Sequence, residues 1–439
     1  MFLRLDMLNL TSLVKSFILT TVSYLTVIAN LNAQQSPVAI VAADTTADNI
    51  NKEIWKRFVN KFNVINDYTA LDGAIYLPTT EECIQGKPNA LGWWSPIENG
   101  SMFGGLYMDG AIKRWEVTKK KEDADKVKRI ANGLMLLASI SSVEGFIGRG
   151  VTADGHTHYP MGSDDQAGGW FYGMWRYLET TLPTIEERKK IEEKILSCAK
   201  AIVKENWFLP AEPPFNTRGS FRPFDYRAAR MLFVAKICFL ISKDNYWNDL
   251  YWKNLSEENT SKLTRLQILE AGLPSNAVST DTWHNSPSVA CLRSLWELET
   301  DSVTKTAFKK GLETTANNAL VSLNNAYRFN LYDTAALDIN WRVMNSFWKL
   351  QTNEIESQNL AMVQLRDLIR RCNRRVTEAM NVREPIFAAW LITLSPDKLM
   401  VKKNAQEMFK ILNRFRYHQL FHVWFFPAEA TWWRLRQLD

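Results

Sequence analysis

The chain has 439 residues, with 53 Lys and Arg against 47 Asp and Glu and a formal net charge of +6. So mild a surplus argues against nucleic-acid binding through a basic footprint, and it leaves room for an anionic ligand such as a uronic-acid sugar. The five cysteines, Cys83, Cys198, Cys238, Cys291 and Cys372, are too far apart for a disulfide-dense scaffold or a zinc site. Most fall in apolar stretches such as VAKICFLI and read as buried thiols, with one bridge left open.

Arg4 and Lys15 precede an apolar run from Phe17 to Ala29, followed by the polar stretch NLNAQQ. This is the pattern of a signal peptide cut near Ala33, and the run is short for a membrane span. No cysteine adjoins the cut, against a bacterial lipoprotein anchor. Residues 1–33 are therefore expected to be a leader. Residues 34–439, which contain no Pro/Gly/Ser linker, are expected to form one domain, periplasmic or secreted, with no integral membrane span after cleavage.

Helical periodicity fills the remainder. Predicted helices run from Ala47 to Phe62, Glu98 to Trp115, Lys121 to Ser139, Asp164 to Glu179, Thr184 to Lys204 and Arg222 to Ser242. A broken pair covers Asn245 to Ala271, followed by Pro287 to Glu299, Ser302 to Asn325, Thr334 to Leu350, Glu354 to Met380, Glu384 to Leu394 and Pro396 to Phe415. Their character alternates. KKKEDADKVKRIANGLMLLA and TIEERKKIEEKILSCAKAIVKE carry one apolar stripe each, as surface helices do. ENGSMFGGLYMDGAIKRW, DDQAGGWFYGMWRYL, FDYRAARMLFVAKICFLI, SPSVACLRSLWEL, TAALDINWRVMNSFW and EPIFAAWLI are nearly uncharged beyond their first turn, as interior helices are. These six begin near Glu98, Asp164, Arg222, Pro287, Thr334 and Glu384, and the repeat of about 50 to 65 residues reads as a helical hairpin. Six inner and six outer helices predict an all-α fold, an (α/α)6 toroid.

The densest chemistry lies between Gly148 and Tyr177, GRGVTADGHTHYPMGSDDQAGGWFYGMWRY. Ser163 is a candidate N-cap, and Asp164 and Asp165 complement the dipole of the helix they open. The preceding loop supplies Arg149, Asp154, His156 and His158. In a toroid, the starts of the other inner helices would bring Glu98, Arg218, Arg222, Asp225, His284, Asp338 and Glu384 to the same rim. With 17 tryptophans in the chain, Trp93, Trp94 and Trp170 are the candidates to stack on sugar rings. Arg218 and Arg222 suit a uronate carboxylate, because a guanidinium matches it in two parallel bonds. His156 and His158 lack a third ligand in reach, so no metal and no cofactor is expected.

With its exported, tryptophan-rich hairpins and its acids placed before inner helices, the chain resembles the six-hairpin glycosidases of carbohydrate-degrading bacteria. It is similar in size and layout to the unsaturated glucuronyl and rhamnogalacturonyl hydrolases, whose essential aspartate matches Asp164 or Asp165. WWSPIENGSMFGGLYMDG, from Trp93 to Gly110, is similar to glycosyl hydrolases of gut-type bacteria. The resemblance implies a glycoside hydrolase acting on an oligosaccharide by carboxylate acid/base catalysis. Asp165 is the first choice for the acid/base and Asp164 its alternative, with Glu98 or Asp154 as second carboxylate. Adjacent helical residues point about 100° apart, so Asp164 and Asp165 are not expected to flank one bond. The rival readings are a polysaccharide lyase or sugar epimerase on the same toroid, with Tyr159, Tyr226 or His284 as base, and a non-catalytic glycan-binding protein.

Overall fold

A computed structural model of the chain describes residues 36–274 and 281–438, so the expected leader lies outside the described residues. The chain separates into two compact units, 1–49 and 50–439. The described part of the first unit is helical and belongs to α1, Ser36–Glu53.

The second unit is mostly helical, with one two-stranded hairpin among the described residues. After a π turn at Ile54–Phe58 come α2 (Thr80–Ile84), α3 (Gly100–Thr118), α4 (Lys121–Leu137), α5 (Asp164–Leu178) and α6 (Ile185–Lys204). Strands β1 (Phe208–Pro210) and β2 (Thr217–Ser220) pair antiparallel and lead to α7 (Ala228–Ser242), α8 (Asn245–Ser256) and α9 (Arg265–Glu270). Then follow α10 (Asp281–His284), α11 (Ser286–Leu298), α12 (Ser302–Ala319), α13 (Glu354–Arg371) and α14 (Asn373–Glu378). The chain finishes with α15 (Glu384–Thr393), α16 (Lys398–Arg414) and α17 (Pro427–Arg436).

The apolar pattern sorts these helices as expected. In α4, Val127, Ile130, Ala131, Leu134 and Leu137 are buried while most of the charged face stays in water, Asp123 being buried against Arg114. In α15 every residue from Glu384 to Thr393 is buried. The buried helices pack in a cyclic order: α3 on α5, α5 on α7 and α11, α7 on α11, α11 on α15, α15 on α17, and α17 back on α3. The amphipathic helices α4, α6, α8, α12 and α16 lie against members of that cycle.

Glycine sets the tightest of these contacts. A Cβ on Gly173 would stand 2.5 Å from the Cα of Gly105, and one on Gly169 would stand 2.6 Å from the Cα of Met102. The helices α3 and α5 therefore meet backbone to backbone, which is why GGLYMDG and GGWFYG carry small residues between their rings.

The structure corrects one expected inner helix. Residues 334–350 form a turn-rich segment with a 3-10 stretch at Trp341–Phe347. Asp333 accepts from the Ala335 N–H and Asp338 from the Asn340 N–H, each at 2.9 Å. Such local side-chain bonds offer the backbone an alternative to a helix. The sixth member of the cycle is α17, which the expected helices stopped short of; Pro427 opens it, a favoured first-turn position.

Candidate active site

The N-terminal end of α5, with the approaches to α7 and α11, borders a cavity of about 750 Å3. Asp164 and Asp165, the first two residues of α5, lie at its wall. Ser163 has extended backbone at the N-cap position, but its hydroxyl makes no cap bond and donates to Asp165. The Gln166 N–H donates to the same Asp165 oxygen at 2.9 Å.

Asp164 is held from the opposite side by Arg230 of α7. Arg230 is 1% exposed; its Nη1 lies 2.7 Å from Asp164 Oδ2 and its Nε donates to Ser288 Oγ of α11 at 2.8 Å. One guanidinium thus ties the starts of three helices. Gly219 of β2 leans on the same carboxylate: its φ is +73°, and a Cβ there would come within 2.8 Å of Asp164 Oδ1. Both the backbone conformation and the approach call for glycine.

Arg149 is fixed by the main chain. Its Nε, Nη1 and Nη2 each donate at 3.0 Å, to the carbonyls of Met161, Glu98 and Gly162 respectively. With neutral partners on all three nitrogens, its charge acts on the carboxylates nearby. Across the cavity, Tyr226 Oη and His284 Nε2 are 2.7 Å apart. Nearer the solvent, Arg218 lies over the Trp93 ring at 5.7 Å and its Nη1 is 3.1 Å from Glu354 of α13. Arg222 and Arg227 complete the cationic lining, Arg227 being paired with Asp225. Five arginines line the cavity against three carboxylates, Asp164, Asp165 and Glu354.

A second acidic group sits behind this wall, at the start of α3. Asp67 accepts from the Asn99 N–H at 2.8 Å and its side chain at 2.6 Å, while Glu98 accepts from the Trp94 N–H at 2.8 Å. Gln166 connects the two groups by donating to Asn99 Oδ1 at 2.9 Å. Arg375, over the rings of Trp94 and Trp424, has its Nη1 3.2 Å from His422 Nε2.

Burial opposes the ionised form of Asp165, but Arg149, the Ser163 hydroxyl, Arg230 and His284 outweigh it and hold the carboxyl below its ordinary range. Glu98 goes the other way. Burial raises it despite Arg375 and the Trp94 N–H. Burial and the neighbouring Glu98 charge push Asp67 well up. Two carboxyls that border the same buried guanidinium, Arg149, are thereby shifted in opposite directions, Asp165 toward the ionised form and Glu98 toward the protonated one.

Of the expected site residues, Trp93, Arg149, Asp164, Asp165, Arg218, Arg222 and His284 come together around the cavity. Asp225 reaches it through Arg227, while Glu98 and Trp94 belong to the group behind. Trp94 is half-buried and its Nε1 donates to the Ala361 carbonyl of α13. Glu384 is fully buried, paired with Arg383 at 3.0 Å and bonded to Thr282.

Other expected residues do not line the cavity. Asp154 is exposed and staples its own turn, accepting from Thr152 Oγ1 at 2.9 Å and from the N–H groups of His156 and Thr157 at 2.8 Å. Those bonds, led by the Thr157 hydroxyl, keep its carboxyl ionised. His156 is exposed on that turn, and His158 spans from the His156 carbonyl at 2.6 Å to Glu212 at 3.2 Å. Trp170 is core, 0% exposed, with its N–H on the Leu134 carbonyl at 2.8 Å. Asp338 is exposed on the segment that replaced the expected helix. Among the described residues no group of three or more His, Cys, Asp or Glu is placed to hold a metal, and no helix is long and apolar enough to cross a membrane. All five cysteines are free and buried; burial pushes the Cys198 and Cys291 thiols up to about 12.

No protein family, curated protein or solved structure matches this chain. The site therefore has to speak through its own geometry.

That geometry adds residues the sequence did not single out. Arg230 is concealed inside an apolar run, FDYRAARMLF, where an uncompensated cation is the signal. Glu354 and Gln358 were hidden because their helix looks like any charged surface helix.

Proposed function

We propose that the cyclic packing of α3, α5, α7, α11, α15 and α17 is the inner ring of an (α/α)6 toroid of the six-hairpin glycosidase kind. We further infer an exported glycoside hydrolase acting on oligosaccharides that carry uronate. The observation that carries this reading is the cavity itself: an ionised, half-buried Asp165 and Trp93 in its lining, with five arginines against three carboxylates. Its volume of about 750 Å3 suits a small ligand. The cationic excess favours an anionic one.

Glycosidic cleavage needs a proton for the leaving oxygen and a base for water, or, with a 4,5-unsaturated uronate, one carboxyl that protonates the enol ether while water adds. The opposed shifts of Asp165 and Glu98 support a division of labour between two carboxylates. In this reading Asp165 acts as the anion that activates water, and Glu98, set behind the wall and shifted by burial toward its protonated form, is the second carboxyl. Asp164, tied to Arg230, positions the end of α5.

A second reading, a lyase on the same scaffold, is favoured by one contact, the Tyr226–His284 pair at 2.7 Å. With His284 accepting its phenolic proton, Tyr226 can take a proton alpha to a uronate carboxyl. Oligosaccharides with and without a terminal unsaturated uronate separate the two. Ultraviolet absorbance of the conjugated enol ether falls for a hydrolase of that group and rises for a lyase. In the same assay Asp165→Asn should lower turnover by about 10² to 10⁴ with the fold intact, and Asp164→Asn by less. Full activity in both variants removes α5 from the mechanism.

A further inference from the structure

We propose that Glu354 is a resident occupant of the cavity's carboxylate subsite, and that an anionic sugar binds by displacing it from Arg218. The proposal rests on the uronate reading above and adds to it a residue that competes with the ligand's carboxylate.

Arg218 is 8% exposed, yet its hydrogen bonding is incomplete. Nη1 approaches Glu354 Oε1 at 3.1 Å, while Nε is buried and without a hydrogen-bond partner. The Nη1–Nη2 edge of a guanidinium is shaped for two parallel bonds to a carboxylate, and Glu354, against Nη1 alone, uses half of it. Trp93, under the same guanidinium, supplies an apolar face beside the carboxylate position for a sugar ring.

Glu354 is also the movable partner. It is the first residue of α13, but Asn353 caps that helix, accepting from the Glu356 N–H at 3.0 Å, so the glutamate carboxylate is not needed for the cap. Its side chain is 32% exposed and its Oε1 also accepts from Gln358 Nε2 at 2.8 Å. An ion pair this open to solvent changes an equilibrium constant by only about 1.5- to 5-fold. A ligand carboxylate that takes Nη1 and Nη2 together overcomes it, and must displace Glu354 from Nη1 to do so. A neutral sugar does not, and must leave the glutamate in place. Glu354 then neutralises Arg218 before a ligand arrives and opposes an anionic one, while a neutral ligand meets no competition from it.

The test is calorimetric titration at neutral pH with two disaccharides, one ending in glucuronate and its counterpart ending in glucose. Glu354→Gln keeps the shape of the side chain and removes the competing charge. It should tighten the glucuronate ligand about two- to fivefold and leave the glucose ligand unchanged. Arg218→Lys keeps the charge and loses the planar fork, and should weaken the glucuronate ligand more than about tenfold. Circular dichroism establishes that both variants are folded. If Arg218→Lys weakens the glucuronate ligand while Glu354→Gln leaves it unchanged or weaker, displacement is overturned and the uronate subsite stands. Wild-type protein that binds neither disaccharide, or both equally, overturns the uronate reading and this proposal with it.

Discussion

Replacing Arg230 by Met tests whether one guanidinium holds the site together. Arg230 is 1% exposed and Asp164, its partner at 2.7 Å, has a side chain 15% exposed; a second bond runs to Ser288 Oγ at 2.8 Å. Met fills similar space along the stem but leaves the Asp164 charge unpaired and the Ser288 hydroxyl without its donor. Breaking a buried pair from one side costs about 3 to 5 kcal/mol. Because Asp164 retains some access to water, about 3 kcal/mol is expected, read as a lower urea midpoint in equilibrium unfolding. Asp164→Asn alone leaves the cation without its counter-charge and should cost about 1 to 3 kcal/mol. The double variant should recover at least about 1 kcal/mol against the sum of the two, the mark of groups that act on each other. Additive costs, or a loss below about 1 kcal/mol for Arg230→Met, would refute the view that this pair organises the starts of α5, α7 and α11.

Gly169→Ala should destabilise by about 1 to 3 kcal/mol or more, since its Cβ would stand 2.6 Å from the Cα of Met102 on α3; an unchanged melting temperature would mean that the two helices can part at no cost. His422 predicts a pH dependence. Burial, with Arg375 and Arg383 adding to it against Glu378, lowers it from 6.5 to about 4. The unfolded chain therefore binds the proton first, and stability should fall as pH drops from about 6.5 to 4 by on the order of 3 kcal/mol. His422→Gln should flatten that slope in unfolding titrations at stepped pH, and an identical slope would assign the acid sensitivity to other groups.

How much of this was legible in the sequence differs from element to element, for physical reasons. Helices such as α4, with one apolar stripe, and α15, apolar all round, announced both their existence and their side of the fold. The segment 334–350 misled because apolar spacing alone cannot register that Asp333 and Asp338 turn back on their own backbone. For the site, Asp164 and Asp165 were readable from their place at a helix start. Trp170 was not separable from Trp93, because both follow the same aromatic pattern and only packing sends one into the core at 0% exposure and the other to the cavity.

The cations carry the deeper lesson. Unpaired N–H groups give a helix start a positive field, where carboxylates are favoured and cations are not. Asp164 and Asp165 obey that rule at the start of α5, and alone they would pass for dipole partners. Arg149 and Arg230, buried close to the same start, go against it, and Arg149 has no direct ion pair among the described contacts to repay its burial. Asp164 and Ser288 account for Arg230, but the carbonyls around Arg149 leave its charge without a direct counter-ion. On the proposed uronate reading, a ligand carboxylate in the cavity adds negative charge where five lining arginines exceed three lining carboxylates.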